Sequence, residues 1–279
     1  MPSPALTRLA PAKLNLFLHI TGCRADGYHE LQTLFQLLNY GDELSFDTLP
    51  NGELSLHAEG PTASAMPLDD NLILQAAELL RQEAKDPMLG AAISIDKRLP
   101  AGAGLGGGSS DAAATLLALN ELWQLDLSEA QLCELGVKLG ADVPVFLRGR
   151  SAWAEGVGEI LTPVELPDAF FLVVTPPCFV STKEVFSQEN LTRNSPAIKM
   201  ADFLAGRSRN DCEAVTRALY PEVAEALDWL AQFTEARMTG TGASVFARCE
   251  SRAEAEQLLA RLPKTLTGFV AQGVNTLRG

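Results

Sequence analysis

None of the five cysteines (Cys23, Cys133, Cys178, Cys212, Cys249) belongs to a Cys-x-x-Cys pair, and their number is odd. A disulfide framework or a zinc site is therefore not expected, and a reducing compartment fits. Histidine is scarce, at three residues, and none is spaced as a ligand pair. No apolar run approaches the ~18 residues of a membrane span. The N-terminal stretch lacks a secretory apolar segment, so a cytoplasmic location is expected. Basic clusters are missing too: the net charge is −13 and no Lys/Arg run exceeds two residues. Nucleic acid and anionic membrane are excluded as expected partners on that ground. Internal repeats and low-complexity tails are absent.

What remains is ordinary globular material, 279 residues with 47% hydrophobic and 20% charged, which suggests two domains. In so acidic a chain an anionic ligand must be met by backbone amides and a few placed cations. The stretch that offers amides is Pro100, Ala101, Gly102, Ala103, Gly104, Leu105, Gly106, Gly107, Gly108, Ser109 and Ser110. Glycine at that density lets backbone approach a ligand closely. Before it, Ile93 and Ile95 alternate with Ser94 and Asp96 up to Lys97, a strand pattern. After it, Ala112, Leu116, Leu119 and Trp123 recur at helical spacing. Strand, glycine loop and helix start together make a seat for phosphate. A Walker A loop is excluded, because Gly107 is followed by Gly108 and Ser109 rather than lysine. The dinucleotide pattern matches in letters at Gly102, Gly104 and Gly107, but it lies too far into the chain for that motif. A turn that binds nothing is the bland alternative.

Upstream, Leu14, Leu16, Leu18 and Ile20 alternate with Asn15, Phe17 and His19, a half-buried strand that puts Lys13 and Asn15 on one face. Lys13 is either a solvated edge lysine or a cation for phosphate. Tyr28 and His29 follow a turn and open a strand from Leu31 to Leu38; they either pack on the sheet edge or face a flat ligand. Gly41-Asp42 reads as a turn, and Leu49 to Met66 as turn-rich. Asp70 reads as the N-cap of a helix carrying Ile73, Ala76, Ala77 and Leu80, with Asn71 either serving the cap or facing ligand. Ser128 and Gln131 have the capping-box form ahead of Leu132, Leu135 and Leu139, and Gly140 ends that helix. Asp142 then either caps a short helix or takes a hydroxyl proton during phosphate transfer.

The second half alternates strands and helices as β-α-β-β-α-β with extra helices in the first crossover, the split βαβ plan. Its small-residue loop Thr239–Ser244 is either a plain hairpin turn or a second close approach to ligand. Ser181 and Glu184 open a helical turn that carries Phe186.

Three motifs in order, Pro11-Ala12-Lys13-Leu14-Asn15-Leu16, the Pro100–Ser110 loop and Met238–Ser244, resemble those of the GHMP small-molecule kinases. The stretches Arg24–His29, Leu139–Phe146 and Ala154–Pro163 resemble the members that act on a cytidine-diphosphate-linked methylerythritol. The resemblance runs over nearly the whole chain. It implies an α+β fold with an ATP-binding domain like ribosomal protein S5 domain 2 at residues 1–160 and a ferredoxin-like (split βαβ) domain at 161–279. It also implies phosphorylation of the substrate's 2-hydroxyl, with ATP as co-substrate, Mg2+ as the accompanying ion with unknown ligands, and a monomer or weak homodimer. The base maps onto Asp142 and the charge-positioning lysine onto Lys13. The glycine loop maps onto the phosphates, with Ser109 and Ser110 toward phosphate or magnesium. Asn71 and Lys97 map near adenosine. Asn15, Tyr28, His29 and Phe186 map to the cytidine-diphosphate side, Tyr28 and Phe186 sandwiching the base. Lys183 and Glu184 depart from the residues usual beside that pocket. Another small alcohol, such as mevalonate or homoserine, is the alternative acceptor.

Overall fold

The computed structural model describes residues 6–25, 27–66 and 71–277. Two long strands, β1 (Leu6–Cys23) and β2 (His29–Leu49), pair antiparallel along most of their length. They are followed by β3 (Leu54–Glu59), α1 (Leu72–Ala84), β4 (Gly90–Asp96), α2 (Gly107–Leu122), α3 (Glu129–Leu139) and α4 (Val143–Arg148). The hairpin β5 (Ala152–Glu155) and β6 (Ile160–Pro163) returns to pair with β2. Then come β7 (Phe170–Thr175), α5 (Thr182–Ser187), α6 (Met200–Leu204), α7 (Glu213–Leu219), α8 (Pro221–Ala231), β8 (Ala236–Met238), β9 (Val245–Cys249), α9 (Arg252–Leu259) and β10 (Thr267–Val274).

The fold is α+β. The path β3-β4-β2-β10-β7-β9-β8 runs as one hydrogen-bonded sheet, with β2 joined to β10 at Leu37 and Leu38. Its C-terminal part, β10-β7-β9-β8, is antiparallel throughout. That order places β9 between β7 and β8, as the split βαβ reading requires. One hydrophobic core lies under α1 and α2, where Ile73, Ala76, Ala77 and Leu80 meet Ala112, Leu116 and Leu119. A second gathers Leu172, Val174, Val245 and Leu258 with Val223, Leu227 and Leu230. Leu18 and Ile20 of β1 belong to this second core, so the first strand reaches both halves of the chain.

Gly41 and Asp42 form no turn. They continue β2, opposite Pro11 and Ala10 of β1. A Cβ on Gly41 would stand 1.9 Å from the Ala10 carbonyl oxygen, so the glycine is there for close strand approach. The strand β1 is buried on both faces from Ala10 to Asn15 and again from Phe17 to Ile20, not half-buried. Leu14 packs with Leu105 and Phe171 in a third apolar cluster, while Phe17 lies beside Trp153 and Phe203. Within Leu49 to Met66, β3 pairs parallel to β4. Asp70 lies outside the described residues; the N-cap of α1 is Asn71, whose Oδ1 accepts from the Ile73 N–H at 2.9 Å. The Ser128–Gln131 capping box and the Gly140 stop stand as read.

Candidate active site

At the end of β4 the chain enters the glycine loop, with Gly102, Gly104 and Gly106 at φ of +64°, +71° and +73°. Any Cβ there is strained. Space forbids one as well: on Gly104 it would stand 2.3 Å from the Thr239 carbonyl oxygen, and on Gly106 2.8 Å from the Phe146 ring. Gly106 N-caps α2, and no side chain caps it. The first N–H groups of an α-helix have no acceptor within the helix. With the positive dipole end they leave an anion seat along Gly107, Gly108 and Ser109. The loop Thr239–Ser244 supports this from behind. Its Ala243 and Ser244 amides donate to Gly102 and Ala103 at 3.2 and 3.0 Å, and Thr239 Oγ1 donates to the Gly104 carbonyl at 3.1 Å.

Lys13 is 4% exposed, which removes the solvated-edge reading. Its backbone N–H donates to the Leu105 carbonyl at 3.0 Å, tying β1 to the glycine loop. Its Nζ donates to Asn15 Oδ1 at 2.6 Å and to the Gly104 carbonyl at 3.2 Å, and lies 3.3 Å from Asp142 Oδ2. Asn15 and Lys13 do share a face. Both ends of the Asn15 amide are taken, however, since its Nδ2 donates to Thr33 Oγ1 at 2.9 Å. Asn15 therefore orients Lys13. Asp142 sits at the N-terminal end of α4, yet its side chain makes no capping bond. One third of that side chain is exposed, and it faces Lys13. A carboxylate beside an ammonium, open to a cleft, can accept a proton from a hydroxyl.

Lys97 lines the cleft, but its ammonium is committed inward. It donates to Asp42 Oδ2 at 2.5 Å and to Asp111 Oδ2 at 2.6 Å, all three residues being buried. Asp42 Oδ1 also accepts from the Arg98 and Leu99 amides at 2.6 and 2.8 Å, fixing the entry to the glycine loop. Burial pushes the Asp111 carboxyl up to about 7, against the pull of Lys97 and with the charge of Asp42 adding to the rise. Burial works against the Lys97 ammonium as well, but Asp111 and Asp42 outweigh it and hold the group above its ordinary value. Two carboxylates and one ammonium leave a surplus buried negative charge, which a proton relieves.

At the other end of the cleft, the ring beside Phe186 is that of His29, at 4.8 Å between centroids and 36°. Tyr28 stands 65% exposed at the rim. The sequence-predicted residues meet in one cleft of about 1140 Å3: Lys13, Asn15, Tyr28, His29, Asn71, Lys97, the loop from Pro100 to Ser109, Asp142 and Phe186 all line it. Ser110 does not. It is fully buried on α2, with its amide bonded to the Gly106 carbonyl. Reasoning from the sequence missed Asp42, Asp111, Thr33 and Arg193. Asp111 follows the glycine loop directly and was the one with a visible signal. The cleft exceeds the ~300–1,000 Å3 that holds a single drug-sized ligand, which suits two substrates end to end.

Family models described as the GHMP kinase N-terminal and C-terminal domains match residues 71–150 and 190–268. A 4-diphosphocytidyl-2-C-methyl-D-erythritol kinase of Pseudomonas syringae pv. syringae is 56% identical over 99% of this chain and 96% of its own. The protein of that name from Pseudomonas paraeruginosa is 58% identical over 95% of this chain and 93% of its own. The crystal structure of a 4-(cytidine 5'-diphospho)-2C-methyl-D-erythritol kinase superposes with a TM-score of 0.82 at 35% identity, covering 96% of this chain and 100% of the other.

Proposed function

The chain belongs to the GHMP kinases, and from that membership we propose that it transfers the γ-phosphoryl group of ATP to the 2-hydroxyl of 4-(cytidine 5'-diphospho)-2-C-methyl-D-erythritol. The observation that carries the reading is the Lys13–Asp142 contact at 3.3 Å, beside a helix start built to seat an anion. Asp142 takes the hydroxyl proton as the acceptor oxygen forms its bond to the γ-phosphorus. The bridging oxygen then leaves with ADP. Lys13, placed by Asn15 and Gly104, pairs with Asp142 and meets charge developing on the transferring group. The amides at Gly107, Gly108 and Ser109 hold the phosphates, and Asn71 stands near the adenosine. Lys97 acts there by fixing, with Asp42, the entry to the loop rather than by touching the nucleotide. Tyr28, His29 and Phe186 form the cytidine end.

Among the described residues no group of three or more His, Cys, Asp or Glu gathers to hold a metal. Mg2+ is commonly held by substrate phosphates and a few protein oxygens rather than by an all-protein cage. Ser109, which lines the cleft, would be the chain's own oxygen donor toward it, and the ion would neutralise phosphate charge. No helix among the described residues is long and apolar enough to cross a membrane. A cytoplasmic monomer or weak homodimer remains the proposed state.

The alternative acceptors, mevalonate and homoserine, are not favoured, because the relatives at 56% and 58% identity carry the name of the cytidylylated substrate. An ADP-coupled assay with the cytidylylated alcohol against plain methylerythritol, mevalonate and homoserine tests this. ADP formation confined to the first supports the reading, and faster turnover of an uncytidylylated alcohol refutes it.

A further inference from the structure

Arg193 lies on the irregular stretch after α5, far in sequence from the motifs that line the cleft. Its guanidinium has N–H donors and no acceptor. Nε donates to His29 Nε2 at 3.1 Å. One terminal nitrogen donates to the Phe186 and Gln188 carbonyls at 2.9 and 2.7 Å, and the other to the Leu191 carbonyl at 3.2 Å. A single cation thus ties the start of β2 to the segment that carries Phe186, the two sides of the proposed base pocket.

The bond to His29 has a chemical consequence. Because arginine can only donate, His29 Nε2 must carry its lone pair. The ring proton of neutral His29 then sits on Nδ1. We propose that Arg193 is a positioning residue for base recognition, which fixes His29 as the Nδ1–H tautomer so that this N–H donates to an acceptor atom on the pyrimidine edge. The inference rests on the cytidine reading of this end of the cleft.

Two further observations support it. Burial of His29, and then the charge of Arg193, lower the imidazole from its ordinary value, which keeps the ring neutral near pH 7. The neighbouring Phe186 ring lies against His29, at 4.8 Å between centroids. A neutral ring with its acceptor nitrogen already used has one polar function left, the Nδ1–H donor. Cytosine presents a carbonyl oxygen and a ring nitrogen that can receive it. A site built around one hydrogen bond discriminates strongly against ligands that cannot complete it. Arg193 therefore sets which hydrogen-bonding pattern the pocket reads, without touching the base.

The test joins NMR of the unliganded protein with kinetics. The chain holds only three histidines, so 15N-histidine labelling, with His29→Ala for assignment, resolves this ring. In the wild type, His29 is expected with its proton on Nδ1 and Nε2 bare. In Arg193→Ala the tautomers should mix and the His29 pKa should rise. The same variant should raise KM for the cytidylylated alcohol at least tenfold, with KM for ATP changed less than twofold. Placed in a His29→Ala background, Arg193→Ala should cost clearly less, because part of its effect passes through that ring. A wild-type His29 protonated at Nε2 overturns the proposal even if the variant misfolds. An unchanged KM alongside a changed tautomer overturns it as well. No turnover of the cytidylylated alcohol by wild type would mark failure of the substrate reading, whereas turnover with an Nε2–H ring would mark failure of this one.

Discussion

Lys13 Nζ stands 3.3 Å from Asp142 Oδ2, joining a buried residue of β1 to a carboxylate one third exposed at the start of α4. In the proposed mechanism they supply the charge and the proton acceptor that phosphoryl transfer to an alcohol needs. Asp142→Asn keeps the shape and removes the base. Its kcat should fall by roughly 10²–10⁴, with KM for ATP within a few-fold of wild type. Steady-state kinetics check this, and near-full kcat would take the base role from Asp142.

Lys13→Met keeps most of the side-chain volume while removing the charge that faces Asp142 and the glycine loop. Its turnover should drop by at least about 10²-fold. The proposed mechanism has the two residues act as one unit, so the double variant with Asp142→Asn should be scarcely slower than the worse single variant. Multiplicative losses would show that they work independently.

Gly106→Ala places a methyl group 2.8 Å from the Phe146 ring and 3.2 Å from Lys13 Cε, at φ +73°. The backbone alone costs about 1–2 kcal/mol, and relief must move Phe146, Lys13 or the start of α2. ATP affinity and kcat should both fall. Calorimetric titration with a non-hydrolysable ATP analogue reads the first, and unchanged affinity would remove the helix start from phosphate binding.

Asp111, held up at about 7 in the folded chain against 3.8 for an ordinary aspartate, binds its proton more tightly folded than unfolded. Its contribution to stability is full below the ordinary value and is lost as pH rises through about 7. Asp111→Asn carries no titrating proton and should lose less stability than wild type between pH 5 and pH 8. Thermal melting across that range decides it, and parallel curves would contradict the assignment.

Much of this was legible locally. The glycine loop, the Ser128–Gln131 box and the split βαβ order each depend on neighbours within a few residues or on element order. Asp42 was misread because a Gly-Asp pair looks like a turn until β1 is laid against it. The ligand reading of Lys97 ran ahead of its partners, since Asp42 and Asp111 meet it only through tertiary packing. Asn71 carried two readings at once, and it both caps α1 and lines the cleft. Arg193 gave no signal at all, because it sits in an irregular segment and its partners are backbone carbonyls and one ring nitrogen.

Identification of the phosphorylated product tests the central claim most directly. Carbon 2 of the methylerythritol unit bears a methyl group, a hydroxyl and two carbons, and no hydrogen. If Asp142 faces that hydroxyl, 31P NMR of the product will show one new phosphomonoester without three-bond coupling to a carbinol proton, formed in equal amount with ADP. A coupled monoester resonance, or ADP without any new ester, would contradict the account.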